Sequence, residues 1–170
     1  MIEGVIVKGL KTYPDERGFF REIVRFPEVG FVPRQASQGL RVSNMSNGWH
    51  IHRFLSEIFY VMRGHVRVAL KDCRTGIEER IRFPYQDNPL QAINFGKSST
   101  ANEYVELILS EYDPKIVVIP CGVAHGYKVL QGPCDMLYFA DMTYDLTRQD
   151  EGRIEPDRWG TEWMREIEVK

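Results

Sequence analysis

The sequence has no long apolar run and little excess charge of either sign. No stretch approaches the roughly 20 consecutive apolar residues that a membrane-spanning helix requires, and no signal-peptide pattern opens the sequence. The 22 basic and 24 acidic residues leave a formal net charge of -2, which argues against binding nucleic acid through bulk charge. We therefore expect neither a membrane nor a nucleic acid as partner.

Cysteine is also scarce. Cys73, Cys121 and Cys134 are an odd number and include no CxxC pair of the kind that binds zinc. Because no disulfide framework is evident, the sequence predicts a reduced, cytoplasmic protein. The 170 residues, 43% of them hydrophobic, suffice for one substantial core, so we expect a single domain over residues 1–170.

Helical periodicity is rare, and short strand-like segments take its place. Apolar or alternating segments recur between turn residues, among them EIFYVM at 57–62 and KIVVIP at 115–120. Many short strands in one domain predict a β-sandwich or barrel. Both faces of EIFYVM are apolar, so we expect this strand to be covered on both sides, partly by a second subunit.

Two segments lack the strand pattern. Residues 82–102 are rich in Pro, Gly, Asn and Ser, and are predicted to form a long surface loop. Residues 151–170 mix charged side chains with Trp159 and Trp163. We expect this tail to form a short helical or irregular segment that packs on one end of the sandwich.

Three of the four histidines lie at positions that suit a metal ligand. His50 and His52 are two residues apart on a predicted strand and project from the same face, and Glu57 opens the next strand. His125 follows the PCG turn at 120–122. An HxH pair alone more often marks two exposed histidines on one face of a strand. Three imidazoles and a carboxylate together, however, can bind a divalent metal. These four residues are therefore candidate metal ligands.

The chain resembles known families in two ways. The spacing HxHx4Ex6G, followed by PxGx2H, resembles the two metal-binding motifs of the cupin superfamily. YPDERGFFRE at 13–22, GWH at 48–50, IPCGVAHGYKVL at 119–130, LYFADMTY at 137–144 and DEGRIEPD at 150–157 resemble the dTDP-4-dehydrorhamnose 3,5-epimerase family. That resemblance covers most of the chain. It implies an all-β, cupin-type jelly roll, usually a homodimer, which acts on a nucleotide-linked 4-keto-6-deoxy sugar.

The epimerase resemblance also implies roles for individual residues. His50 corresponds to the catalytic base, Asp157 to the carboxylate that orients the base, and Tyr138 to the general acid. The positions that correspond to substrate-binding residues are Arg17, Phe20, Glu22, Gln35, Asn47 and Tyr144. Epimerisation beside a ketone needs a base, an acid on the opposite face and a group that stabilises the enolate oxygen.

Two cations of the family pattern are missing from this chain. Asn47 stands in place of an arginine, and Glu57 stands in place of an active-site lysine. A carboxylate repels a developing enolate, whereas a divalent metal at the four candidate ligands would restore positive charge and polarise the ketone. If His50 binds that metal, it cannot also be the base, so the two resemblances disagree at this residue. We favour the metal-bound alternative.

Three functions stay open at this point. The first is epimerisation or isomerisation of a nucleotide-activated keto sugar. The second is metal-dependent cupin chemistry of another class, such as an oxygenase or an isomerase of a small sugar or acid. The third is a non-catalytic nucleotide-sugar-binding protein that kept the pocket and lost the two cations. None of the three requires an organic cofactor.

Overall fold

A computed structural model describes residues 1–84, 89–145 and 150–164, and nearly all of their regular structure is β-strand. The strands are β1 (Ile6–Gly9), β2 (Thr12–Asp15), β3 (Gly18–Arg21), β4 (Gln35–Arg41), β5 (Ser46–His52), β6 (Glu57–Asp72), β7 (Glu79–Arg82), β8 (Leu90–Ile93), β9 (Tyr104–Ser110), β10 (Lys115–Ile119), β11 (Val123–Ala140) and β12 (Glu151–Arg153). Short 3₁₀ turns lie at Phe26–Val29 and Glu162–Met164. In these ranges no helix is long and apolar enough to span a bilayer.

Two long strands join the layers of the sandwich. β6 and β11 pair with each other along their whole length, from Glu57 opposite Ala140 to Asp72 opposite Val123. β6 pairs with β10 near its start and with β9 near its end, and β11 pairs with β5 first and β4 later. The remaining strands extend the sheet through β12, β7 and β8, whereas β2 and β3 form a separate hairpin. All pairs are antiparallel, and the prediction of an all-β, cupin-like sandwich is confirmed.

The EIFYVM segment at the start of β6 is buried on both faces, as its sequence predicts. Phe59 and Val61 belong to the central core, whereas Ile58 and Tyr60 pack in a second cluster with Phe31. That second face is covered by the chain around the first 3₁₀ turn. The cover that we expected from a second subunit is therefore supplied here by the same chain.

The described part of residues 82–102 contains more regular structure than its composition predicts; residues 85–88 of this segment lie outside the described residues. β8 pairs with β7. Ser98 and Thr100 each donate a 2.7 Å hydrogen bond to the buried carboxylate of Asp72. The prediction of a surface loop is wrong for Leu90–Ile93, which form β8, whereas residues 94–102 are mostly irregular or turn as predicted.

The C-terminal tail begins as a strand and then becomes irregular. β12 pairs with β5, and a turn at 156–159 and the second 3₁₀ turn follow it. The ring of Trp159 packs edge-on against Trp49, with centroids 4.9 Å apart, and Trp163 packs on the same cluster. The expected packing of the tail is seen for residues 151–164, whereas residues 165–170 lie outside the described residues. Its pairing with β5 is what brings the tail to the histidines.

Candidate active site

A cavity of about 870 Å³ opens on one side of the sandwich. Its wall carries five residues that the sequence singled out, namely Gln35, His52, Glu57, Tyr138 and Tyr144. It also carries five charged residues that the sequence did not single out, namely Arg53, Asp145, Asp150, Glu151 and Arg153. Imidazole, carboxylate, phenol and guanidinium groups therefore share one cavity.

β5 is the strand around which these polar groups are arranged. His50 lies opposite His125 on β11 and opposite Arg153 on β12, and His52 lies opposite Glu151. Side chains opposite each other on antiparallel strands lie side by side on one face of the sheet. Strand register thus places three basic side chains in a row across β11, β5 and β12.

The close approach of β5 and β11 depends on Gly48. Its φ is +134°, and a Cβ at this position would lie 2.5 Å from the Cα of Gly126 and 3.0 Å from the carbonyl oxygen of His125. Those atoms belong to the backbone and cannot move aside cheaply. Only glycine fits here, so the GWH segment requires a glycine at its first position.

His52, Glu57 and His125 form a compact cluster. Nε2 of His125 lies 3.2 Å, and Nε2 of His52 lies 3.8 Å, from Oε2 of Glu57. Nδ1 of His125 lies 3.1 Å from the carbonyl oxygen of Val123, to which it donates, so Nε2 is the nitrogen that faces the carboxylate. Burial raises the pKa of Glu57, but His125 and His52 lower this pKa more, and the carboxylate is charged at neutral pH.

The nitrogens of this cluster fit a divalent metal ion. Among the described residues, Nε2 of His52 and Nε2 of His125 are buried without a hydrogen-bond partner. Leaving such an atom unpaired costs about 1–3 kcal/mol. One candidate ligand atom from each of these two histidines and from Glu57 lies within 4.8 Å of the others. Two imidazoles and a carboxylate suit divalent iron, manganese or zinc.

Asp150 orients His52. Its Oδ2 atom lies 3.4 Å from Nδ1 of His52, and its carboxylate accepts backbone N–H bonds of 2.9–3.3 Å from Arg53, Phe54 and Leu55. Burial raises the pKa of Asp150, but His52 and these N–H groups lower it below its ordinary value. The charged carboxylate directs Nε2 of His52 towards the cluster, as carboxylates behind ligating histidines do.

His50 lies outside this cluster. Its Nε2 accepts a hydrogen bond from the guanidinium of Arg153, and its Nδ1 lies 3.6 Å from Oε2 of Glu151. Burial, the Arg153 cation and the neighbouring His125 and His52 hold the pKa of His50 well below its usual value. The imidazole is therefore neutral and can accept a proton. The structure brings together three of the four predicted metal ligands and places His50 apart.

Tyr138 is a half-buried phenol on the cavity wall. Its hydroxyl lies 2.8 Å from the hydroxyl of Tyr127, and its ring packs edge-on against Phe59 with centroids 5.2 Å apart. Burial and the neighbouring Tyr127 raise the pKa of Tyr138 above its ordinary value. The phenol thus keeps its proton at neutral pH, which an acid must do before it donates.

Three residues that were predicted to bind substrate lie away from this cavity. Arg17 is exposed between β2 and β3 and pairs with Asp15 at 2.6 Å, and Phe20 is 66% exposed on the same hairpin. Glu22 follows β3 and pairs with Arg25. None of the three is among the residues that line the cavity of the same chain.

The other predicted site residues divide between the cavity and its surroundings. Gln35 and Tyr144 both line the cavity, and the amide of Tyr144 donates a 2.8 Å bond to Oε1 of Gln35. Asn47 is half-buried on β5, opposite Tyr127. Asp157 is exposed in the turn at 156–159, and the carboxylate 3.6 Å from His50 belongs to Glu151 instead.

Glu151 and Arg153 are functional candidates that sequence reasoning missed. Their spacing of two residues is the same signal that singled out His50 and His52 on one strand face. The signal was overlooked because the segment was interpreted as an irregular tail. A cavity that joins a histidine, a tyrosine and several carboxylates contains the group types that enzymes use for proton transfer.

Comparisons with known proteins define this class further. The dTDP-4-dehydrorhamnose 3,5-epimerase family matches residues 94–170. The spore coat polysaccharide biosynthesis protein SpsL of Bacillus subtilis is 32% identical over 171 residues, which are 96% of this chain and 99% of that protein. The chain belongs to the dTDP-4-dehydrorhamnose 3,5-epimerase family, which is a family of nucleotide-sugar epimerases.

Solved structures share the same fold. The rmlC epimerase of Mycobacterium tuberculosis has a TM-score of 0.71 at 19% identity, covering 89% of this chain and 69% of that chain. The RmlC epimerase of Legionella pneumophila, solved with dTDP-4-keto-L-rhamnose, has a TM-score of 0.69 at 24% identity, covering 91% of this chain and 74% of that chain. These similarities support the jelly-roll architecture described above.

Proposed function

We propose that this protein epimerises a 4-keto-6-deoxy sugar that is linked to thymidine diphosphate. The observation that carries the proposal is that Tyr138 and Arg153 line one cavity and that the neutral His50 lies directly behind Arg153, in a member of this family. His50 removes the C–H proton beside the ketone, and Tyr138 returns a proton to the opposite face of that carbon. Gln35 and Tyr144, on the cavity wall, contact the substrate.

The proposal predicts proton exchange between solvent and sugar. In D₂O, the protein should incorporate deuterium beside the ketone of dTDP-4-keto-6-deoxyglucose, which proton NMR measures as loss of a sugar signal. dTDP-glucose, which lacks the ketone, is the control and should not exchange. Binding of the keto sugar without exchange would instead identify a non-catalytic binding protein. Absence of both binding and exchange would contradict the nucleotide-sugar assignment.

We further propose that the site binds a divalent metal through His52, Glu57 and His125. Such an ion would supply Lewis-acid polarisation of a carbonyl group. His50 lies outside the cluster, so metal binding and proton abstraction fall on different histidines. The conflict that the sequence raised at His50 is thereby removed.

Metal binding is measurable directly. After incubation with Zn²⁺ or Mn²⁺ and desalting, elemental analysis should find about one ion per chain. Glu57→Gln removes the charged ligand and should weaken binding about 100-fold or more, a larger loss than outer-shell changes cause. Glu151→Gln is the matched control, because Glu151 lines the same cavity outside the three-residue cluster. Equal metal content in the wild type and Glu57→Gln would contradict the assignment.

The same cluster favours a second candidate function. Two histidines and one carboxylate form the ligand set of non-haem iron oxygenases, and other cupin enzymes use a metal for isomerisation of small sugars or acids. Substrate-dependent dioxygen uptake by the iron-loaded protein, with no exchange into the keto sugar, would favour this alternative over epimerisation.

We propose a homodimer as the working unit. The hairpin of β2 and β3 forms its own small sheet and exposes Phe19 and Phe20, which are 64% and 66% accessible. Exposed aromatic pairs of this kind are typical of interfaces. A second copy would bring Arg17, Phe20 and Glu22 to its partner's cavity, where they could contact the nucleotide as predicted. Light scattering measures this directly, and a strict monomer would contradict it.

We propose the cytoplasm as the location and one domain over residues 1–170. Cys73, Cys121 and Cys134 are all free thiols, and two of them are buried. Unpaired buried thiols fit a reducing compartment.

A further inference from the structure

The pairing of β12 with β5 places an arginine directly against His50. Arg153 lies opposite His50 in the strand register, and its guanidinium donates to His50 Nε2. The other side of the guanidinium bonds to Glu151 at 2.5 Å. Arg153 lines the cavity, but His50 is not among the lining residues. The guanidinium therefore separates the imidazole from the space where a substrate would bind.

Positive charge beside the ketone matters in this cavity, because four carboxylates face it. Glu57, Asp145, Asp150 and Glu151 line the wall, and an enolate oxygen forming among them would be repelled. Arg53 is the second arginine of the described wall, but its guanidinium stacks on Phe83 at 3.7 Å and donates a 2.6 Å bond to Gln91. Those contacts engage the Arg53 guanidinium with Phe83 and Gln91, whereas the Arg153 guanidinium lies beside His50.

We propose that Arg153 binds the ketone oxygen of the substrate and stabilises the enolate. This inference rests on the proposed epimerase function. On substrate binding, the guanidinium moves from His50 Nε2 to the carbonyl oxygen, where its positive charge offsets the carboxylates of the wall. The same movement uncovers Nε2, so that oxyanion stabilisation and exposure of the base occur together.

The proton and electron movements balance. The freed Nε2 of His50 takes the proton from the carbon beside the ketone. The C–H electron pair forms the C=C bond, and the carbonyl π pair moves to the oxygen beside Arg153. The oxygen pair then re-forms the C=O bond while the carbon takes the Tyr138 proton on the opposite face. Water accepts the proton from His50 and returns one to Tyr138.

Charge location favours the ketone over the diphosphate as the partner of Arg153. The guanidinium lies in the row of basic residues beside the base, and Glu151 Oε1 neutralises part of its charge at 2.5 Å. A charge-assisted hydrogen bond that strengthens as the oxyanion forms acts mainly in the transition state. The loss of Arg153 should therefore slow chemistry more than it weakens nucleotide binding.

The test compares Arg153→Ala and Arg153→Lys with the control Arg158→Ala. Arg158 pairs with Glu79 at 3.1 Å on the same tail and lies outside the cavity wall. In Arg153→Ala, deuterium exchange into dTDP-4-keto-6-deoxyglucose should fall about 10²–10³-fold, as with the loss of an oxyanion donor. In Arg153→Lys, the exchange rate should fall less, because lysine keeps the positive charge. Affinity for dTDP, which has no ketone, should change less than about twofold. Added guanidinium at millimolar concentration should partly restore exchange in Arg153→Ala.

Each contrary result has a distinct meaning. Unchanged exchange in Arg153→Ala would overturn the inference. Weaker dTDP binding in proportion to the lost exchange would make Arg153 a diphosphate contact and also overturn it. If Arg153→Ala loses exchange without guanidinium rescue and melts at a lower temperature, and Arg158→Ala shows the same loss, then Arg153 is a structural residue. If the wild type binds the keto sugar without exchange, the epimerase proposal itself fails.

Discussion

Replacement of His50 by asparagine is expected to lower the rate of deuterium incorporation into the keto sugar by about 10²–10⁴-fold, the usual contribution of a general base. The asparagine oxygen can still accept the hydrogen bond from Arg153, but it cannot take up a carbon-bound proton. Proton NMR in D₂O measures the rate. His65→Asn is the control, because His65 lies on β6 next to Tyr112, away from the cavity wall. Wild-type exchange in His50→Asn would show that another group is the base.

Replacement of Tyr138 by phenylalanine is expected to separate exchange from inversion. Phenylalanine keeps the ring contact with Phe59 but has no proton to donate. His50 can then remove a proton and return deuterium to the same face, so exchange continues while epimer formation falls. Product analysis beside the NMR measurement distinguishes the two rates. If the variant forms epimer at the wild-type rate, the acid is a different residue.

Replacement of Asp72 by alanine is expected to lower the free energy of unfolding by about 3–5 kcal/mol, the typical loss when one partner of a buried charged network is removed. Asp72 is fully buried. It accepts 2.9 Å bonds from the Arg74 guanidinium and 2.7 Å bonds from Ser98 and Thr100. Alanine would remove the buried acceptor that these three donors share. Denaturant titration measures the change, and Asp113→Ala is the exposed control.

The contribution of Asp72 should also depend on pH. Burial raises its pKa, but the bonds from Arg74, Ser98 and Thr100 lower it more, to about 2 from an ordinary 3.8. A carboxyl group with a lowered pKa stabilises the fold at pH values above its ordinary pKa. This stabilisation is lost as pH falls from about 4 to about 2. The difference corresponds to about 2 kcal/mol. The difference in the free energy of unfolding between the wild type and Asp72→Asn should therefore shrink as pH falls over this range. A difference that stays constant would contradict the assignment.

Local pattern was sufficient to predict the strands and the fold class. EIFYVM and KIVVIP became β6 and β10 because apolar alternation and bounding turn residues are properties of neighbouring residues. The same reasoning was wrong for Leu90–Ile93, which form β8 against β7. It also did not predict the bonds from Ser98 and Thr100 to Asp72, because composition carries no signal for a partner about 26 residues away.

The motifs predicted part of the site. Ligand-like spacing identified His52, Glu57 and His125, and the structure brings these three together. Spacing could not separate His50 from them, because His50 and His52 share one face of β5 and differ only in their neighbours. The neighbour of His50 is Arg153, on a strand about 100 residues later in the chain.

The sequence by itself determined the all-β class, the family and the set of histidines, because these follow from local alternation and motif spacing. Only the tertiary structure decided which charged groups meet those histidines. The register between β12 and β5 places Glu151 and Arg153 beside them and leaves Asp157 exposed in the next turn. A shift of one residue in that register would turn both side chains to the other face of the sheet. Packing of the whole sandwich selects the register, so no short segment specifies it.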